Sequence, residues 1–248
     1  MIIKSIIVLT ALAVILSLET FFPKEKIRFK KKISRILKNI FFWLVNVGIT
    51  PIIILPISIY ATQFEIHGLF KFENSILSFL FHLIIVDIFL YWWHRFNHEV
   101  PFLWRFHHVH HLDETLDISS GVRFHFGEVI LSALIRSLFI IFFNITLINL
   151  LFIEAIILIS SIFHHSNINL PIKLEKVLSH VIVTPSIHWV HHHKRQTETD
   201  ANYSTIFSWW DRIFRTKSNF KRKIGMPIGI QGDREQNLLE LILRPIKK

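Results

Sequence analysis

Four histidines fall within six residues in "FHHVHH" (Phe106–His111), and a second run, "HWVHHHK" (His188–Lys194), is as dense. Both contain the spacing His-x-x-His-His, first at His107 and again at His188. Residues at i, i+3 and i+4 share one face of a helix. His107, His110 and His111 would therefore point one way, as would His188, His191 and His192. His94 and His98 in "HRFNH" are spaced i, i+4, and His125 ("RFHFGE") and His165 ("HHSN") stand at the two ends of a long apolar stretch. Imidazole suits iron, zinc, copper and nickel. The chain has no cysteine, which removes thiolate sites and disulfides. A single zinc-type site uses about three or four protein ligands; ten histidines exceed that, so the pattern points to two metals. His108, His164 and His193 fall off the spacing and read as neighbours of ligands. His67, His82 and His180 read as isolated core or interface residues. Clustered imidazoles could also act as a pH sensor, but that reading leaves the repeated helical spacing without a reason.

Asp87 lies inside an apolar run, where a carboxylate is costly. It precedes His94 by two helical turns on the same face, with Tyr91 between. A carboxylate there could accept the free N–H of a metal-bound imidazole and fix its tautomer; the plainer alternative is a hydrogen-bonded helix-packing residue. Glu128, Asp200, Asn202 and Asp211 could play similar parts, as could Asp113 and Glu114, with a helix cap or solvated surface as the alternative for each.

Elements must bring these residues together. Half of the 248 residues are hydrophobic (51%), with 24 Phe, and the mean hydropathy is +0.44, too apolar for an ordinary soluble domain. Apolar spans run over Ser5–Phe22, about Ile40–Ala61 (interrupted by Pro51 and Pro56), Ser75–Trp93 and Val129–Phe163. The last is well beyond the ~20 residues of one crossing and reads as a helical hairpin turning near Asn144–Asn149. The expected fold is all-α: an integral membrane protein with about four to five transmembrane helices and a cytoplasmic histidine-rich helical cap. The organisation is an N-terminal anchor (1–74), a histidine-rich di-metal domain (75–216) and a basic amphipathic tail (217–248) that lies on the membrane surface or in solvent. The net charge of +10 is explained by membrane-flanking residues rather than by nucleic-acid binding. The basic stretch Lys24–Arg35 is cytoplasmic by the positive-inside rule, and parity then places every dense histidine run on that same side. The compact size is compatible with a bacterial inner membrane.

The stretches "DIFLYWWHRFNH" (Asp87–His98), "LWRFHHVHHLDE" (Leu103–Glu114), "RFHFGE", "HSN", "TPSIHWVHHHK" (Thr184–Lys194) and "TDANYSTIFSWWDRIFRT" (Thr199–Thr216) resemble the fatty acid hydroxylase/sterol desaturase superfamily of integral-membrane di-metal oxygenases. The resemblance implies a non-haem centre of two iron ions that uses O2 to attack a C–H bond of a lipid. It implies His94, His98, His107, His110, His111, His188, His191 and His192 as ligands, with His125 and His165 at two further positions. It also implies electrons from a separate electron-transfer protein, since no His-Pro-Gly-Gly signature of a fused carrier is present. Two departures stand out: the usual Asn-Tyr-Gly ends in Ser204, and the usual Trp-Asp-x-x-Phe-Gly-Thr carries Arg215.

Hydroxylation is the expected outcome, with desaturation from the same hydrogen abstraction as the alternative. A zinc hydrolase would want His-Glu-x-x-His, which is absent. A non-catalytic metal-binding or transport protein would want polar groups along its spans; Asp87, Arg136 and Glu154 are sparse candidates.

Overall fold

A computed structural model describes residues 2–26, 29–64, 70 and 72–247; His67 and part of the basic stretch after the first span lie outside the described residues. The described chain is all-helical, and four helices are long and apolar enough to cross a membrane: Ile2–Phe21, Ile33–Thr62, Ser75–Glu99 and Leu147–His165.

Helix α1 (Ile2–Phe21) is apolar all round, and most of its large side chains are exposed, as lipid-facing residues must be. The second span is α2 (Phe29–Ile49), a π-turn (Thr50–Ile54) and α3 (Leu55–Thr62). Pro51 lacks an N–H and its ring crowds the preceding turn. The helix absorbs this as one wide turn and continues, so the proline interruption kinks the crossing without ending it. Thr50 Oγ1 there donates to the Asn46 carbonyl at 2.7 Å.

Helix α4 (Ser75–Glu99) starts at Asn74, whose side chain accepts from the Ile76 and Leu77 N–H groups, a standard N-cap. It ends because Val100 precedes a proline and is extended. Pro101 then opens α5 (Pro101–His111) at a position where its missing N–H costs nothing. This one-residue break folds α5 back onto α4 and turns the two histidine faces toward each other.

The hairpin is α6 (Phe126–Phe142) and α7 (Leu147–His165). Thr146 caps α7 through Asn149 N, and Asn144 takes a left-handed φ of 52° in the turn. Val86, Ile140, Ile145, Leu150 and Ile153 pack α4, α6 and α7 together. Arg136 pairs with Glu154 across the hairpin at 2.9 Å. At 17 residues, α6 is about 25 Å long at 1.5 Å per residue, shorter than the four helices that are long and apolar enough to cross a membrane.

Short helices form the cap: α8 (Ile172–Leu178), α9 (Pro185–His191), α10 (Gln196–Thr199), α11 (Trp209–Ile213) and α12 (Leu238–Leu243). The tail differs from the expected membrane-surface or solvent segment. Leu241 is fully buried against Phe42, Val109 and Leu112, and Glu235 pairs with Arg123 at 2.8 Å. Leu238 and Ile242 of α12 join the same cluster, while Leu239 and Ile246 stay exposed.

Candidate metal centre

The cap brings nine histidines into two groups. His94, His98, His107, His111 and His191 form one; His110, His165, His188 and His192 form the other. Within each group the candidate ligand nitrogens lie within 4.8 Å of one another. Opposed donors on one metal, each at about 2.1 Å, would be ~4.2 Å apart, so both groups have the size of a coordination shell. The groups abut: the His111 and His192 rings stack at 4.3 Å, and the His188 and His191 rings stack at 5.2 Å. Adjacent residues on α5 and α9 are thus dealt alternately to the two shells, which is what the repeated His-x-x-His-His accomplishes.

Tautomers follow from the hydrogen bonds. A carbonyl only accepts, so a ring nitrogen facing one must carry the proton. His94 Nδ1 donates to the Tyr203 carbonyl (2.8 Å), His110 Nδ1 to Arg123 (3.1 Å), His165 Nδ1 to Ser161 (2.7 Å) and His191 Nδ1 to Ala201 (2.7 Å). Each neutral ring then aims an Nε2 lone pair into its group. In the five-histidine group the Nε2 atoms of His94, His98, His107, His111 and His191 are buried with no hydrogen-bond partner. In the four-histidine group, His165 Nε2 stands 3.0 Å from His110 Nε2 and 2.9 Å from His188 Nε2, and His192 Nε2 lies 3.2 Å from His188 Nε2. His110 and His165 both carry their proton on Nδ1, so their two Nε2 lone pairs, 3.0 Å apart, repel unless a cation sits between them. Burial first, and neighbouring rings second, hold His110, His111, His188 and His192 well below the ordinary histidine range, and burial pushes His191 down to about 3. Neutral imidazole is the form that binds metal. The donor set therefore fits two metal ions.

Carboxylates complete the support. Glu128, at the start of α6, lies 3.0 Å from His107 Nδ1 and also accepts from Asn97 at 3.1 Å. Asp200 stands 3.4 Å from His98 Nδ1 and is half-exposed. Asp87 takes a different part. Its oxygens accept from Ile206 N, Phe207 N and Trp210 Nε1 at 2.8–3.1 Å, so it latches the cap to α4 instead of touching an imidazole. Tyr91 bonds Thr216 in the same latch. Asp211 accepts from Tyr203 N, Ser204 N and Thr216 Oγ1, and so holds the irregular segment whose Tyr203 carbonyl orients His94. Asn202 ties Ile187 to Ser218.

His125 joins neither group. Its Nδ1 accepts from Gly127 N, capping α6, and its Nε2 pairs with the Ile242 carbonyl of the tail at 3.1 Å. Its spacing had no helical partner, and the structure uses it to seat α12. Of the off-spacing residues, His108 pairs with Arg244 and Asp233, and His193 accepts from Arg195 N. The backbone carbonyls that fix four rings carry no side-chain signature. Sequence reasoning also passed over the buried network of Arg35 with Asp113, Asp117 and Ser120, and Arg123, which donates to the Val109 carbonyl beside His110; the single arginine of α2, Arg35, at the edge of an apolar span was a signal that could have been followed.

The sequence model of the fatty acid hydroxylase family matches residues 79–216, more than half of the chain and all nine clustered histidines. The chain belongs to the fatty acid hydroxylase family. It is 28% identical over 169 residues to ornithine lipid hydroxylase OlsE of Rhizobium tropici, covering 67% of this chain and 49% of that protein. It is 32% identical over 131 residues to alkylglycerol monooxygenase of Homo sapiens (53% and 28% covered), and 29% identical over 161 residues to lathosterol oxidase of Homo sapiens (63% and 50%). The matched region thus spans half or less of the length of these relatives. No solved structure matches this fatty acid hydroxylase chain.

Proposed function

We propose that the protein is a membrane-bound non-haem di-iron oxygenase that hydroxylates a C–H bond of a lipid. The observation that carries this reading is the convergence of nine buried imidazoles on two adjoining points, with all five Nε2 atoms of the first group left without a partner. His94, His98, His107, His111 and His191 would hold one iron, and His110, His165, His188 and His192 the other; the expected ten-ligand set becomes nine without His125. The overall reaction takes R–H, O2, two electrons and two protons to R–OH and water, with the electrons from a separate electron-transfer protein. Bound iron supplies the electrons that split O2, which no side chain can do.

The chain's own residues do the rest. Carbonyls 123, 161, 201 and 203 and the Glu128 carboxylate hold the rings in one tautomer, so little reorganisation is needed on loading. Tyr203 stands edge-on to His94, His191 and His98, and Trp104 covers His98 and His111. These rings wall the five-histidine group against water. His94, His98 and His165 sit on the cap ends of crossing helices α4 and α7, so a lipid chain would reach the site from the bilayer. That ornithine lipid hydroxylase and alkylglycerol monooxygenase are relatives supports a polar lipid substrate. The localisation we propose is a bacterial inner membrane with the cap cytoplasmic, as the basic Lys24–Arg35 stretch favours.

The test is metal content and lipid product together. Protein from iron-supplemented cells should carry about two irons per chain, and lipids from expressing cells should gain one oxygen. His110→Ala should lose both while the protein still inserts. A product lighter by two hydrogens would turn the reading to desaturation, which the lathosterol oxidase relative makes the second possibility. No metal in folded wild type would overturn the di-iron centre.

A further inference from the structure

Arg222 lies six positions beyond Thr216, where the family match ends. It reaches back into the cap. Its guanidinium carbon stands 3.5 Å over the centre of the Trp189 ring, and its two terminal nitrogens donate to the Ile168 carbonyl (3.3 Å) and Asn167 Oδ1 (3.2 Å). Its Nε is buried without a partner. Burial pushes the guanidinium down to about 10, against the pull of Glu25, Glu175 and Glu19, so it stays charged at neutral pH.

Trp189 is the residue after His188 on α9 and is fully buried. Its indole N–H reaches both the His165 and Ser166 carbonyls, at 3.2 and 3.0 Å. The indole therefore ties the last turn of α7, which carries His165, to α9, which carries His188 and His192. Those two helices share the four-histidine group and supply three of its members. The five-histidine group draws instead on α4 and α5, with only His191 from α9. A guanidinium on the indole face favours one ring orientation by cation–π attraction and stacking. Its forked bonds to residues 167 and 168 brace the same α7 exit from the other side.

We infer that Arg222, through Trp189, is a positioning residue for the four-histidine metal site: a clamp supplied by the segment that follows the family domain, setting the spacing of His165 and His188. The inference rests on the di-metal reading above. Removing such outer support weakens metal binding by about 10- to 100-fold. The loss should fall on one site of the two, which general destabilisation would not produce.

The experiment titrates metal-free full-length protein in detergent with cobalt(II), following the visible bands of the bound ion and its stoichiometry. Wild type should bind two cobalt ions. Arg222→Ala should keep one at wild-type affinity and bind the second about 10- to 100-fold more weakly, and a background lacking His188 should abolish the difference. Arg222→Lys, which keeps the charge but not the planar fork, should fall between. Trp189→Phe, which keeps a ring but loses the donor, should weaken the same site. If Arg222→Ala does not fold, Arg222→Lys and Trp189→Phe carry the comparison. Two sites of unchanged affinity in the folded variants, or equal loss at both, would overturn the inference. Fewer than two cobalt ions in wild type would overturn the di-metal reading itself, and is recognised separately.

Discussion

At the scale of single residues, chemistry and placement separate cleanly. His125 has the right type for a ligand and the wrong neighbours, since both ring nitrogens are already engaged. His125→Ala should leave two metals bound and cost about 1 kcal/mol, as loss of a helix cap does; metal analysis and thermal unfolding of the purified variant check this. Loss of a metal would return His125 to the ligand set. Arg215 is the second case. It stands where the motif of the resembled family would have glycine, and its φ is 58°. A side chain in that left-handed region costs roughly 1–2 kcal/mol, part of which glycine returns to unfolded-chain entropy. Arg215→Gly is expected to raise stability by up to about 1 kcal/mol with metal binding unchanged. A lowered midpoint would show that the Arg215 side chain contributes more than its backbone costs.

At the scale of elements, the site depends on how closely helices approach. Gly121 sits in the short turn before α6, and a Cβ there would lie 2.8 Å from the Ser161 carbonyl and 3.0 Å from Ile162 Cα. Both obstacles are backbone of α7 and cannot swing away. Ser161 also gives its carbonyl to His165 and its hydroxyl to the Gly121 carbonyl. Gly121→Ala must push α7 outward, at about 1–3 kcal/mol for overpacking, and it moves His165 with it. We expect a lower unfolding midpoint and a weakened second metal, read by the same cobalt titration. An alanine variant as stable as wild type would mean the helix gives way without cost. The latch of Asp87 onto residues 206, 207 and 210 belongs to this scale too: a carboxylate buried in a crossing helix is satisfied by a cap segment far away in the chain.

For the molecule as a whole, the metal-free chain should be acid-sensitive. Burial keeps His110, His111, His188 and His192 well below the ordinary value near 6.5, and His191 at about 3. Between those values the unfolded chain binds protons that the folded chain excludes, so stability rises with pH and falls as pH drops below about 6.5. Each ring contributes on the order of 1 kcal/mol per pH unit in that window. The unfolding midpoint of metal-free protein is expected to fall steeply from pH 7.5 to pH 5.5, and that of the loaded protein much less. Equal, flat profiles would show that the rings are not held neutral and buried.

Much of this was written in the sequence. Helical spacing pointed to eight of the nine clustered histidines, because a face at i, i+3, i+4 is a local property of the backbone; His165 was singled out only by its place at the end of the hairpin and by the family resemblance. The apolar spans, the α6–α7 turn and the proline-marked start of α5 are likewise local, set by side-chain burial and missing N–H groups within a few residues. Glu128 was legible as a partner only by type. What the sequence left open was every contact whose two sides lie far apart in the chain. Which histidine joins which group depends on α4, α5, α7 and α9 meeting in the cap. The demotion of His125, the use of Asp87 as a latch, the folding of the tail onto Phe42 and Val109, and the stacking of Arg222 on Trp189 are decided by packing across 33 to 199 positions of chain. Spacing along a helix is dictated by backbone geometry; pairing between helices is dictated by which buried donors and acceptors must be satisfied once they are brought together, and only the tertiary structure does that.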